Sequence, residues 1–371
     1  MPADTRLADG MTYRDRFIRT VHFEPVDRLP FRLAYGLMPG VLEEWHAQGL
    51  PRTVQTYDDL CNHFAFPTHP RALPLNQGCV PPFPEKVLSE DDEAVVATDS
   101  FGRTTKMLKK YTSLPMALDF PVRDRETWLA YKERLAVRPE RIGVDLEKAA
   151  AANQAEGQPN VFGAMGFFWL PRDLMGDEQL CIAYYEQPDL VEDILETWYA
   201  LIESLLLGAL RRIRIDALSL GEDMAYRGGS LISRAVFDRF MAPYYQRLQR
   251  IVERHGIPVF AMDSDGCLNE LNDWFLDCGV NMVVPNEVQA GCRITEYRRK
   301  YGRRLAYSGG LDKRVLTQGR RAIDAMLNEI IPPMMETGGG WVVSLDHRVV
   351  PGTPLADFRY FTDRVREMTL F

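Results

Sequence analysis

The stretch PVFAMDSDGCLNELNDWFLDCGVNMVVPNE, residues 258–287, contains one full unit of the pattern that decides the fold. Its first apolar run, PVFAM, predicts a buried strand that ends at the acidic pair Asp263 and Asp265. Residues 268–278 carry apolar side chains at helical spacing and stop at Gly279, which is typical of a helix end. A second apolar run, NMVVP, follows at once. The stretch therefore predicts a strand, a polar strand end, a helix and another strand.

The same unit recurs through the C-terminal half of the chain. Strands are predicted at residues 216–220, 258–262, 281–285, 304–308 and 340–344, and helices at 233–255, 268–278, 294–301, 320–337 and 354–368. Five strand–helix units in succession predict a parallel sheet with crossover helices. The strands are short and evenly spaced, each ends in a polar cluster, and no G-x-G-x-x-G follows any of them. These features favour a (β/α)8 TIM barrel over a doubly wound sheet.

The N-terminal half has a less regular pattern. It predicts an opening helix at 12–22, an early barrel strand at 27–34 and loops at 38–84, which are rich in proline and aromatic residues. Residues 86–88, 94–98 and 104–111 predict a small β-meander, and 160–165 another barrel strand. We expect one domain over residues 1–371, a TIM barrel elaborated by an N-terminal loop and the meander, with the insertion at 38–130 covering the barrel mouth.

Composition restricts the class of protein. The formal net charge of −8 and the lack of a basic, aromatic-rich run argue against nucleic-acid binding. The six scattered cysteines form no C-x-x-C pair and predict a reduced, cytoplasmic protein. Residues 1–10 contain no apolar segment of the signal-peptide kind, and the apolar run at 201–210 includes Glu203 and is too short to span a bilayer. We expect no membrane segment.

Acidic side chains follow the predicted strands. They are Glu222, Asp223, Asp263, Asp265, Glu287, Asp312 and Asp346, and His347 joins them at the last strand. In a barrel these strand ends meet at one mouth, where like charges need a cation, a shared proton or a basic partner. Any single acid has roughly even odds of simply capping the following helix. For the set as a whole we expect an active site.

A divalent metal is one way to hold such acids together. Asp263 and Asp265 alternate along an extended strand and so point the same way, and His347 faces the same mouth. Two carboxylates and an imidazole predict an open metal site at Asp263, Asp265 and His347, which zinc, manganese or iron would fit.

The remaining candidates surround that site. The sequence predicts Glu222, Asp263 and His347 as catalytic residues. Predicted substrate contacts are Tyr35, Trp169, Tyr226, Arg227 and Glu287. Arg227 lies just beyond a strand end, where it can bind an anionic group or pair with the acids.

The chain resembles the uroporphyrinogen decarboxylase superfamily, which includes the decarboxylases of haem synthesis and the corrinoid-linked methyltransferases. The resemblance rests on the segments Leu220-Gly-Glu-Asp223, Met262-Asp-Ser-Asp-Gly266, Asn286-Glu-Val-Gln-Ala-Gly291, Gly309-Gly-Leu-Asp-Lys-Arg314 and Asp346-His347 with residues 351–358. It implies a TIM barrel, often a homodimer.

Two departures from the family pattern matter for function. The decarboxylases carry Met-Arg-Gln-Ala-Gly-Arg after the first strand, whereas residues 32–38 here are Arg-Leu-Ala-Tyr-Gly-Leu-Met, with only Arg32 as a cation. This argues against a tetrapyrrole substrate, because the arginines that would bind its carboxylates are missing. The methyltransferases bind zinc through His-x-Cys and a later Cys, and Asp263, Asp265 and His347 stand at those positions. These harder ligands suit an oxygen or amine substrate.

The favoured function is therefore a metal-dependent methyltransferase or demethylase. The expected metal is zinc, and the methyl group of a small O-methyl substrate would pass to a corrinoid on a partner protein. The alternative is a metal-free decarboxylase acting on a small acid or a tetrapyrrole, with an Asp or His as proton donor. A non-catalytic binding barrel is the third reading, which so many clustered acids disfavour.

Overall fold

The computed structural model describes residues 10–110 and 115–371. Its helices are α1 (Tyr13–Val21), α2 (Val41–Ala47), α3 (Tyr57–Phe64), α4 (Arg125–Lys132), α5 (Leu146–Ala155), α6 (Trp169–Met175), α7 (Asp177–Glu186), α8 (Pro188–Leu210), α9 (Arg234–Phe240), α10 (Ala242–His255), α11 (Leu271–Asp277), α12 (Ile294–Tyr301), α13 (Arg320–Met335) and α14 (Leu355–Met368). Its strands are β1 (Lys86–Glu90), β2 (Ala94–Thr98), β3 (Thr104–Leu108), β4 (Met116–Asp119), β5 (Val161–Met165), β6 (Ala217–Gly221), β7 (Ala225–Tyr226), β8 (Gly229–Ser230), β9 (Val259–Asp263), β10 (Met282–Val284), β11 (Ala306–Ser308) and β12 (Trp341–Val342).

A parallel sheet of six strands, in the order β12-β11-β10-β9-β6-β5, organises the C-terminal half. Asp263, the last residue of β9, pairs with Gly221 of β6 on one side and Val284 of β10 on the other. The carboxyl ends of these strands are therefore level with one another, as parallel strands joined by helices require. The predicted α/β class and parallel sheet are confirmed.

The first helix covers one face of this sheet. Tyr13, Phe17 and Val21 of α1 pack with Val259, Ala261 and one small or apolar residue from each of several neighbouring strands. Asp263 lies on the same face of β9 as Val259 and Ala261, because alternate residues of a strand point the same way. Asp263 is therefore on the sheet face that α1 covers, at the carboxyl end of β9.

An ion pair locks α1 to the sheet. Arg14 donates from Nε and Nη2 to the two carboxylate oxygens of Asp216, at 2.9 and 2.6 Å. Asp216 is only 2% exposed and also accepts from the backbone N–H of Asn160 at 2.9 Å. A bidentate arginine and a backbone donor together satisfy the hydrogen-bonding capacity of this buried carboxylate.

The predicted strand at 27–34 is wrong as a full strand. It makes only single bridges, of Arg28 with Leu370 and of Phe31 with Val343. Pro30 has no N–H to give a ladder, although its carbonyl accepts from Val343 at 2.7 Å. The segment therefore lies beside β12 without extending the sheet by a regular strand, and closure into a barrel remains a prediction.

Two other predictions change for local reasons. The helix predicted at 233–255 is two helices, α9 and α10, which meet at Met241 because Pro243 occupies the first turn of α10. The predicted loops at 38–84 contain α2 and α3. Thr56 and Asp59 form a reciprocal capping box at the start of α3, and this residue spacing is typical of a helix N-terminus.

The predicted β-meander is an antiparallel sheet with the order β1-β2-β3-β4. The sequence analysis did not predict β4, and β3 ends at Leu108, whereas residue 111 of the predicted strand lies outside the described residues. In the described parts of the chain, we find no helix that combines the length and the apolar character needed to cross a bilayer.

Candidate functional site

Three separate parts of the chain meet at the carboxyl end of β9. The Nε2 atom of His347, from the segment after β12, lies 3.1 Å from Oδ1 of Asp265. The ring of Tyr35 stacks on the imidazole of His347, with centroids 5.5 Å apart and planes inclined by 23°. We call Tyr35, Asp263, Asp265 and His347 the acid–imidazole group.

Asp223 joins this group from the end of β6. Its Oδ1 accepts a hydrogen bond from the backbone N–H of Asp265 at 3.1 Å. Arg172 of α6 in turn donates to the backbone carbonyl of Asp223 at 2.9 Å and lies 3.7 Å from its carboxylate. The loop that carries Asp265 is thereby tied to the neighbouring strand end.

The environment raises the pKa values of Asp263, His347 and Asp223. Burial, with the negative charges of Asp265 and Asp223, raises the pKa of Asp263 to about 7. Burial opposes the charging of His347, but the hydrogen bond and the charge of Asp265 outweigh it and raise the pKa of the imidazole. Burial and the charge of Asp265 also raise the pKa of Asp223. The group therefore holds protons that ordinary surface carboxylates would have lost.

Two polar atoms of the group make no well-placed hydrogen bond in the described part of the chain. They are Nδ1 of His347 and the hydroxyl of Tyr35, and both are buried. The Tyr35 hydroxyl still interacts with the carboxyl of Asp263 and opposes the rise in its pKa. A buried polar atom without a hydrogen bond costs roughly 1–3 kcal/mol, so native structures rarely leave one unless a ligand or water completes it. Both atoms belong to the same stacked pair of rings, which indicates a place where a substrate completes the bonding.

The predicted metal ligands do not form a metal-binding arrangement. Among residues 10–110 and 115–371, no three His, Cys, Asp or Glu side chains are grouped so that they could hold an ion. Nε2 of His347 is engaged with Asp265, and its free atom, Nδ1, is on the other side of the ring. Asp263, Asp265 and His347 lie near one another, with His347 hydrogen-bonded to Asp265, and as placed they do not fit the metal.

Glu222, one of the predicted catalytic residues, anchors the start of α6. Its fully buried carboxylate accepts backbone N–H bonds from Phe167, Phe168 and Trp169 at 2.7, 2.7 and 3.1 Å, and the Tyr245 hydroxyl donates to it as well. Burial raises its pKa to about 7. These partners occupy its oxygens and fix the start of α6, where free N–H groups favour an acid.

Glu287 and Asp346 also serve as loop anchors. Glu287 accepts from the backbone N–H of Gly266 at 3.1 Å, which holds the turn after Asp265. Asp346, fully buried, accepts from the N–H of Val288 at 3.1 Å and of Lys313 at 3.2 Å. These acids position the loops around the site.

The other predicted substrate residues lie around the site. Trp169 begins α6, and its ring is covered by the Arg172 guanidinium, 5.3 Å away. Tyr226 is 57% exposed on the hairpin of β7 and β8, and Arg227 is exposed beside it. The exposed positions of Tyr226 and Arg227 do not by themselves give either residue a contact with the acid–imidazole group.

The sequence analysis noted Arg32 but did not predict it as a site residue. Nη2 of Arg32 lies 2.7 Å from Nδ1 of His69, and His69 stacks on Tyr57 with centroids 4.3 Å apart. Burial and the charge of Arg32 lower the pKa of His69 to about 4, so this imidazole is neutral. In the described ranges Arg32 forms no ion pair with a carboxylate. An arginine inside an otherwise apolar strand pattern was the available signal.

These features define an α/β protein with its titratable groups at the ends of parallel strands. The chain belongs to the uroporphyrinogen decarboxylase (URO-D) family, whose sequence model matches residues 122–368. No curated protein matches it significantly in sequence.

Solved structures support the fold. A methyltransferase from Methanosarcina mazei is 16% identical, with a TM-score of 0.57 over 96% of this chain and 99% of that chain. A 3-keto-D-glucoside 4-epimerase from E. coli is 11% identical (TM-score 0.36; 60% and 84% covered), and a B12-independent methionine synthase from Shewanella sp. W3-18-1 is 10% identical (TM-score 0.33; 91% and 96% covered). The first likeness shows a shared fold, and the other two are too weak to carry an argument.

Proposed function

We propose that this protein is an enzyme that removes the methyl group of a small O-methyl compound and passes it to an acceptor, with the acid–imidazole group supplying the proton. The observation that carries the proposal is the geometry of His347. Asp265 holds its Nε2 at 3.1 Å, while its buried Nδ1 has no partner among the described residues. This is how a carboxylate orients an imidazole for proton transfer in other enzymes.

The proposed step balances as follows. The charged imidazole of His347 donates its Nδ1 proton to the ether oxygen while the bond from that oxygen to the methyl carbon breaks. The electron pair of the broken bond stays on the oxygen, and the methyl carbon bonds to an electron pair of the acceptor. Asp265 would stabilise the charged ring before transfer, and the Tyr35 hydroxyl would donate to the same oxygen. We predict that the acceptor is a corrinoid on a partner protein.

The local charge favours a neutral reacting group. Asp223, Asp263 and Asp265 lie together at these strand ends, where burial and the negative charges of Asp265 and Asp223 raise the pKa of Asp263. A substrate carboxylate placed at this point would meet the repulsion of like charges. An ether oxygen would not, so methyl transfer suits the site better than decarboxylation.

Decarboxylation of a small acid is the second candidate. The observation in its favour is Arg32, a half-buried guanidinium that contacts neutral His69 and has no carboxylate partner within the described ranges. A substrate carboxylate could take that place. The same imidazole would then protonate the carbon that loses carbon dioxide.

One experiment separates the two. The purified protein is incubated with chemically reduced free cobalamin and a set of methoxylated compounds, and the demethylated product is quantified by chromatography. The same compounds in carboxylated form are tested for release of carbon dioxide without cobalamin. Cobalamin-dependent demethylation that H347Q abolishes supports methyl transfer. Cobalamin-independent release of carbon dioxide would replace it by the second candidate.

Several finer predictions need experiments of their own. Zinc is one of them, and elemental analysis of the purified protein decides it, since a single open site requires about one ion per chain. The corrinoid partner, the homodimer, the cytoplasmic location and the closed barrel also stay predictions.

A further inference from the structure

A cavity of about 520 Å³ lies next to the acid–imidazole group. Its lining includes the apolar side chains of Leu37, Met38, Leu42 and Leu60, the rings of Tyr35 and Tyr57, and the polar side chains of Gln55 and Thr56. This volume is in the usual range for small-molecule sites, which are mostly apolar with a few placed polar groups.

One cation, Arg348, lines this cavity. It is half-buried and forms no hydrogen bond or ion pair through its side chain with any residue that the structure describes. Other arginines around the strand ends are paired, as Arg172 is with Asp223 and Arg314 with Asp312. Glu43 also lines the cavity, at its exposed rim, and makes no ion pair with Arg348 within the described ranges. A partly desolvated cation without a partner is suited to an anionic ligand.

The cavity is coupled to His347 by Tyr35 and by the backbone. Arg348 directly follows His347, and the segment that carries both runs beside residues 36–38. Val349 donates to the carbonyl of Gly36 at 3.0 Å and accepts from Met38 at 2.9 Å. Tyr35 lines the cavity and also stacks on His347 at 5.5 Å. Tyr35 is therefore shared between the cavity wall and the acid–imidazole group.

We propose that Arg348 and this cavity form a carboxylate-binding subsite for a flat, apolar substrate. The guanidinium would hold the carboxylate at the end of the substrate away from the acids, in the bidentate geometry that arginine favours. The aromatic and apolar walls would hold the body, and the group to be demethylated would face His347. The inference rests on the proposed function for the orientation of the substrate. The subsite itself is tested by binding alone.

The test is a calorimetric titration with two probes of equal shape, 4-methoxybenzoate and the neutral 4-methoxybenzamide. The wild-type protein is expected to bind the carboxylate at least about tenfold more tightly than the amide, since hydrogen bonds to charged groups contribute that much or more. R348Q is expected to bring the two affinities within about twofold of each other, mainly by weakening the carboxylate. R348K should keep part of the preference, because it retains the charge without the planar fork.

R314Q is the matched control, since it removes one exposed arginine whose partner is Asp312. It should leave the preference unchanged. Equal affinity of the wild type for both probes, absence of carboxylate binding, or a preference that survives R348Q would each overturn the subsite. If the wild type prefers the carboxylate and R348Q removes that preference, but no methoxylated compound is demethylated, the subsite stands and the proposed methyl transfer is refuted. The two failures are therefore distinguishable.

Discussion

Nε2 of His347 lies 3.1 Å from Oδ1 of Asp265, although 82 positions separate the two residues along the chain. The contact joins the segments that follow β12 and β9, and Nδ1 of the same ring stays buried without a partner among the described residues. One carboxylate thus sets the orientation of an imidazole whose other nitrogen is free to meet a substrate.

Replacing His347 by Gln is expected to lower the rate of demethylation by a factor of about 10² to 10⁴, the usual contribution of a positioned proton donor. The amide can still accept or donate a hydrogen bond but cannot transfer a proton at neutral pH. Rates with reduced cobalamin measure the effect. H255Q, at the end of α10, is the control. Equal rates for H347Q and H255Q would show that His347 is not the donor.

The pH dependence of the rate tests the charges around His347. Burial lowers the pKa of the imidazole, the hydrogen bond and the charge of Asp265 raise it by more, and Lys313 lowers it. The proposed donor is the charged form, so activity falls as the pH rises through this pKa. D265N should move that fall to lower pH, and K313Q should move it to higher pH. Shifts in the same direction would contradict this electrostatic account.

The stability of the protein should depend on pH through the protonation of Asp263. Its pKa is 3.8 when free and about 7 in the folded protein, so the folded state binds this proton more tightly. Its contribution to stability is therefore full below about pH 4 and is lost as the pH rises towards 7. D263N does not ionise, so the Tm of D263N minus that of the wild type should increase from about pH 5 to pH 8. A difference that stays constant with pH would refute the buried, protonated Asp263. D363N, at a carboxylate 70% exposed, should show no such trend.

Much of the C-terminal sheet could be predicted because its elements carry strong local signals. The pattern predicts a helix at 294–301, and α12 has those bounds. The strand at 27–34 could not be predicted correctly from its apolar pattern, since the pairing partner of each residue is set by the tertiary structure. Pro30 and the single bridge at Phe31 show how little ladder that segment forms.

The site was predictable only in part. Strand ends of a parallel sheet meet, so Asp263, Asp265 and His347 could be grouped from their positions. The sequence does not show which acids already have partners. Glu222 follows a strand as Asp263 does, yet its oxygens are taken by the backbone of α6. The isolation of Arg348 is likewise a property of its three-dimensional surroundings.

Tyr35 should matter for substrate more than for folding. Its hydroxyl is buried and makes no well-placed hydrogen bond with the described residues, although it interacts weakly with the carboxyl of Asp263. Y35F should therefore change the Tm little, while the demethylation rate falls. Y307F is the matched control, because the Tyr307 hydroxyl is also buried without a partner in the described ranges but does not belong to the acid–imidazole group. Thermal unfolding and rates of both variants check this. Equal rates for Y35F and wild type would remove the hydroxyl from the mechanism.

Tyr245 should matter for folding more than for chemistry, because it donates to the buried carboxylate of Glu222, which also holds the start of α6. Y245F leaves that carboxylate one donor short, so we expect a loss of about 1 kcal/mol or somewhat more in the free energy of unfolding. Y184F provides a close comparison, since Tyr184 is equally buried but its hydroxyl has no partner in the described residues. Denaturant unfolding of both variants measures the difference. If Y184F destabilises as much as Y245F, the loss comes from disturbed packing, and the anchoring role of Glu222 would need another explanation.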